Sequence, residues 1–165
     1  MKMTRIALLF FLLISLTGCF KDEPRKETYR AAGSWKVDAV TIQKFDANGN
    51  EISTEDQTET GFLMLSFGDD FMYENYYSYS LQSDKLVNSR IYPMFQVGNV
   101  WSVTVEGKSF NLGVKDASTG FVTNVGSMTI NRLTKKRMEL QWIELDPVTE
   151  AIVHSEIWKL SSATH

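Results

Sequence analysis

The chain opens on one apolar block and then settles into short alternating runs. Ile6 to Leu16 is almost continuously apolar, with Lys2 and Arg5 before it. The block is shorter than the roughly 20 residues a membrane-spanning helix needs. It fits the apolar core of a secretory signal, about 7 to 15 residues. From Ser34 the period changes. Ser34 to Phe45 alternates, placing Trp35, Val37, Ala39 and Thr41 on one strand face. In Asp46-Ala47-Asn48-Gly49-Asn50, Asn-Gly predicts a tight turn, because both residues tolerate positive φ. Phe62 to Phe67 is an apolar run, Gly68-Asp69-Asp70 a turn, and Phe71 to Ser80 an aromatic strand. Further strands are predicted over Lys85 to Ile91, Val100 to Glu106, Ser109 to Val114, Phe121 to Leu133, Met138 to Leu145 and Ala151 to Leu160. Gly107-Lys108 and Asp146-Pro147-Val148-Thr149 read as turns.

Beyond the leader, no stretch of about 12 residues keeps a helical period. The pattern predicts an all-β domain, a sandwich or a barrel, and the short turns favour a single antiparallel up-and-down barrel of about eight to ten strands, after a signal helix and a flexible tether. Closure would also remove edge strands that otherwise pair with other chains. The expected limits are residues 1–18 for the leader, 19–30 for a charged tether broken by Pro24, 31–161 for the barrel and 162–165 for a short tail.

The leader ends on Leu16-Thr17-Gly18-Cys19, which resembles the bacterial lipobox. That resemblance implies cleavage before Cys19 and a diacylglyceryl group on its thiol. Cys19 is the only cysteine, so no internal disulfide competes for it. Two acyl chains, at about 0.8 kcal/mol per buried methylene, hold a protein stably to a membrane. Lys21-Asp22-Glu23 resembles the Lys and two acidic residues that follow the lipidated cysteine in surface-exposed lipoproteins of the Bacteroidota. The implied location is the outer membrane, with the domain either displayed at the cell surface, the favoured side, or retained facing inward.

Gly33-Ser34-Trp35 resembles the opening of the lipocalin barrel, where the Trp closes the floor. The turn at 46–50 and the late pair Met128 to Thr134 and Arg137 to Trp142 are similar to the lipocalin-like lipoproteins of the Bacteroidota. No Thr-Asp-Tyr motif is present, and Lys159 is the nearest cation on the last strand to stack on that Trp. The resemblance implies a small cupped barrel able to take a ligand.

Charge and chemistry narrow the function. The leader holds two of the seventeen basic residues and no acidic one, which leaves 15 basic against 20 acidic side chains. Nothing in that balance points to nucleic acid, and Lys135-Lys136-Arg137 reads as a solvated turn. Only His154 and His165 could serve as an imidazole base, and no Gly-x-Ser-x-Gly elbow occurs. His154 reads as a surface histidine. One lipidated Cys and one internal His do not make a zinc site. The oxygens of Asp46, Asn48, Asn50 and Glu51 lack the distal ligand of a calcium loop. Neither metal nor cofactor is expected, and catalysis is the least favoured class.

The aromatic strand carries the main alternative. Phe71, Tyr73, Tyr77 and Tyr79 share one face, and Trp101 follows on a later strand. Tyr73, Tyr77, Tyr79 and Trp101 either line a cavity for a small hydrophobic or glycan-like ligand or fill a solid core. The first case makes the protein a binding lipoprotein. The second makes it a structural or interaction lipoprotein with a protein partner at the envelope.

Overall fold

The computed structural model describes residues 31–70, 73–96, 100–116, 118–119 and 121–163. The expected leader and tether, and with them Leu16, Thr17, Gly18, Cys19, Lys21, Asp22 and Glu23, lie outside the described residues. Eight strands run in chain order: β1 (Gly33–Phe45), β2 (Glu51–Asp70), β3 (Tyr73–Gln82), β4 (Val100–Glu106), β5 (Ser109–Lys115), β6 (Val122–Leu133), β7 (Arg137–Leu145) and β8 (Ile152–Ser162). One short helix, α1 (Tyr92–Gln96), lies between β3 and β4. Each strand pairs antiparallel with the next, and β1 pairs with β8 to close the barrel. The predicted all-β up-and-down barrel is the observed fold.

Up-and-down order gives the barrel two unlike ends. At one end, called the tether end after the expected tether, β1 begins and β8 stops, with the β2–β3 connection and tight turns at Gly107-Lys108 and Thr134 to Lys136. At the opposite end lie the turns after β1, β5 and β7, together with the long connection from Ser83 to the start of β4. Local chemistry sets the turns. Asp46 Oδ1 accepts from the amides of Asn48 and Asn50 at 2.8 and 2.9 Å, and Asp146 Oδ1 does so from Val148 and Thr149 at 2.9 and 2.8 Å. Gly49 and Gly107 sit at φ +81° and +56°, where a side chain would be strained.

Several features depart from the predicted pattern, among them Gly68-Asp69-Asp70, expected as a turn but part of β2 and paired with β3. The face of β1 switches in mid-strand. A bulge lies between Val37 and Ala39, so Trp35 and Val37 face the core but Val40 and Ile42 take over from the expected Ala39 and Thr41. One extra residue moves every later side chain to the other face. Another departure is Lys85 to Ile91, which forms bends rather than a strand. β2 starts at Glu51, well before Phe62. Residues 51–58 are mostly polar and pair with β1, where Thr41 Oγ1 donates to Asp56 Oδ1 at 2.6 Å.

Gly61 explains why β3 can leave β2 where it does. Its φ is +136°, and a Cβ there would stand 1.8 Å from the carbonyl oxygen of Gln82. Only glycine lets the two backbones approach so closely. Trp35, Trp158, Phe110, Leu63, Leu112, Met128, Met138 and Leu140 are fully buried and form the core. At the tether end, the indole Nε1 of Trp35 donates to the Ala31 carbonyl at 2.8 Å.

Candidate functional site

The unusual chemistry lies at the end away from the tether, on β8. Its inward face reads His154, Glu156, Trp158 and Leu160, all buried. The strand is paired on both sides, with Glu156 opposite Ile42 of β1 and Trp142 of β7. A fully buried carboxylate is costly unless hydrogen-bond donors surround it.

Here the donors come from two sources. On β8 itself, Trp158 Nε1 donates to Oε2 at 2.9 Å, and His154 Nε2 lies 3.0 Å from Oε1. The rest come from the segment after β3. Ser89 Oγ donates to Oε2 at 2.7 Å, the Arg90 amide to Oε1 at 2.5 Å, and the Ile91 amide to Oε1 at 3.4 Å. The Ser89 oxygen in turn accepts from the Tyr92 amide at 3.0 Å, which caps α1.

Residues 83–96 therefore form a stopper held to three strands by three glutamates. Glu55 on β2 accepts from Asn88 Nδ2 at 2.7 Å. Glu144 on β7 pairs with Arg90 at 2.7 Å. Glu156 on β8 holds the turn into α1. Leu86, Ile91 and Phe95 of this segment are buried. Phe95 packs between walls far apart around the barrel. Its ring centroid is 5.3 Å from Tyr79 on β3, edge to face, and 5.5 Å from Trp158 on β8. On β6, Gly126 leaves room for Met94, whose sulfur would sit 2.8 Å from an added Cβ.

The arrangement grips residues 83–96 through one carboxylate. Ser89 gives its proton to Glu156, and the His154 contact runs to the same carboxylate. Among the described residues, no group of three His, Cys, Asp or Glu side chains could hold a metal ion.

The sequence-predicted residues fall out unevenly. His154 is 2% exposed and is not the expected surface histidine. It stacks edge-on against Trp142 at 5.5 Å, and its place on a face with Trp158 and Leu160 is the signal that would have found it. Tyr79 is half-buried and donates its hydroxyl to the Met94 carbonyl at 3.2 Å, and burial pushes its phenol above the ordinary range. Tyr73 and Tyr77 belong to β3, and Trp101 belongs to β4 beside a register shift. The side chains of these three lie outside the described residues. Gly33 opens β1 at φ +132° and Trp35 is buried behind it. Lys159 is exposed, on the outer surface rather than against a core Trp. Glu156, Ser89, Glu55 and Glu144 were missed, because their partners lie 33 to 67 residues away. Compared with known proteins, the chain matches no family, no curated protein and no solved structure.

Proposed function

We propose that this chain is a lipid-anchored lipoprotein of the bacterial outer membrane that acts through contacts with an envelope partner. In this reading the domain is a non-catalytic interaction module. The stopper carries the proposal: Phe95 stands between Tyr79 and Trp158, in the space a carrier would need for cargo. Exposed apolar side chains at the same end supply contact surface, including Ile52, Val87, Phe121 and Val148. The lipobox-like Leu16-Thr17-Gly18-Cys19 supplies the anchor, and Lys21-Asp22-Glu23 the surface address.

The second reading, a carrier of a small hydrophobic or glycan-like ligand, draws on Tyr79 and on the polar grip of the stopper, which is released if Glu156 loses its donors. Titration with a fatty acid and an apolar fluorophore separates the two. The contact reading expects no saturable one-to-one uptake by the native chain and new uptake by Phe95→Ala, whose cavity a small apolar guest would fill. Equal uptake by both would return the carrier. Separately, Cys19→Ala should abolish acyl labelling and leave the precursor uncleaved. Labelling that persists in that variant would remove the anchor.

A further inference from the structure

Charge is distributed unevenly between the ends of the barrel, although Lys44, Lys85 and Arg90 also lie at the stopper end and Asp69, Asp70 and Glu106 at the tether end. The turns at the stopper end carry Asp46, Asp116, Asp146 and Glu150. At the tether end, the β6–β7 turn is Lys135-Lys136-Arg137, and Lys108 in the neighbouring turn accepts the Ile130 amide on its carbonyl. The fold adds what the sequence kept apart. Arg132 stands opposite Glu139, and Glu139 opposite Lys159, while Arg137 stands opposite Ser161. These side chains and Asp38 line an outer groove of about 280 Å³. Asp38 accepts from Ser161 Oγ at 2.9 Å. Among the described residues, Arg132, Arg137 and Lys159 make no ion pair within 4.0 Å.

We infer that this basic groove and turn form a docking surface for the anionic phospholipid headgroups of the membrane that holds the chain. The choice of occupant rests on the lipid-anchor reading. From Cys19 to Gly33 the chain makes 14 steps, which span at most about 50 Å when fully drawn out. The tether end therefore stays within that reach of the bilayer. Phosphate oxygens suit guanidinium forks, and the acidic stopper end is repelled and turned outward. The isolated run Lys135-Lys136-Arg137 reads as a solvated turn, but two further cations across β6 and β8 give it a face.

The test uses the chain from residue 19 onward with Cys19→Ser, so that no acyl group contributes. Its co-sedimentation is measured with phosphatidylcholine vesicles, with and without about 30 mol % phosphatidylglycerol. Binding should require the anionic lipid and should fade in about 1 M salt, where the Debye length is about 3 Å. The variant Arg132→Gln/Arg137→Gln/Lys159→Gln should lose on the order of 100-fold in partitioning, about fivefold per charge. Lys44→Gln/Lys85→Gln, at the stopper end, should lose less than about 3-fold. Both sets are exposed, and unchanged melting curves would show that both variants fold. Absence of binding to anionic vesicles, or equal losses in the two variants, would overturn the inference. So would saturation of the groove by free glycerol phosphate when the vesicles are ignored, since that makes the ligand a soluble anion. Vesicle binding that persists when Cys19 proves unlabelled would sink the anchor and leave the surface standing.

Discussion

The two ends of the barrel are closed by different means. At the tether end, closure is local and apolar: Trp35 is buried and its indole bonds to Ala31, four residues away. At the other end, closure is long-range and polar: Glu156 gathers donors from residues 65 to 67 positions distant. An apolar plug such as Trp35 is stabilised wherever it is removed from water. A polar grip holds in one geometry, because each donor and acceptor must meet its partner. The tether end should therefore contribute most to global stability, and the stopper end should be where the barrel first opens.

The largest expected effect is at the apolar end. Trp35→Ala should destabilise the domain by about 3–5 kcal/mol, the range for deleting a buried large aromatic. Chemical denaturation would measure it. An unchanged midpoint would mean that Trp35 does not close the floor, and the contrast between the ends would lose one side.

A smaller loss is expected at the polar end. Glu156→Gln keeps the volume but replaces the carboxyl that four donors and the His154 ring address, for a loss of about 1.5–3 kcal/mol. The signature matters more than the size. Amide exchange should accelerate over residues 83–96 before it does in β6, β7 and β8. Uniform acceleration through the barrel would show that the stopper and the walls unfold as one unit. Tyr79→Phe, which removes one hydroxyl donor to the Met94 carbonyl, should cost only about 0.5–1.5 kcal/mol, again with its main effect on α1.

What the sequence disclosed follows the same division. The turn at Asp46 and the turn at Asp146 were legible because one side chain bonds amides two to four residues on. Trp35 was legible because it opens an alternating run. The bulge after Val37 was not, since its cause is pairing with β2 and β8 rather than anything within the strand. Lys85 to Ile91 resembled a strand because Leu86 and Ile91 are apolar. Both are buried, but by a folded stopper with Val87 left 78% exposed between them. The grip on Glu156 joins positions that no local pattern connects.

The subtlest test uses pH. Three turn aspartates at the stopper end have carboxyls below the ordinary value of 3.8. Asp46 is lowered chiefly by the Asn50 side chain, Asp116 by the Ser118 side chain and Asp146 by the Thr149 amide. At the tether end the β4–β5 and β6–β7 turns rely on Gly107 and on the hydroxyl of Thr134, which accepts from the Arg137 amide at 3.0 Å. Neither group titrates in acid. A folded pKa below the unfolded one gives stability that is complete above the unfolded value and lost as pH falls through the folded one. Acidification from about pH 5 to about pH 3 should thus lower protection factors at Asn48, Asn50, Val148 and Thr149, with Arg137 unaffected. Asp146→Asn keeps an oxygen acceptor without a titrating proton, so it should flatten the pH response of its own turn and leave that of Asp46 intact. If Arg137 loses protection in step with Val148, acid acts on the whole barrel, and the two ends are not independent closures.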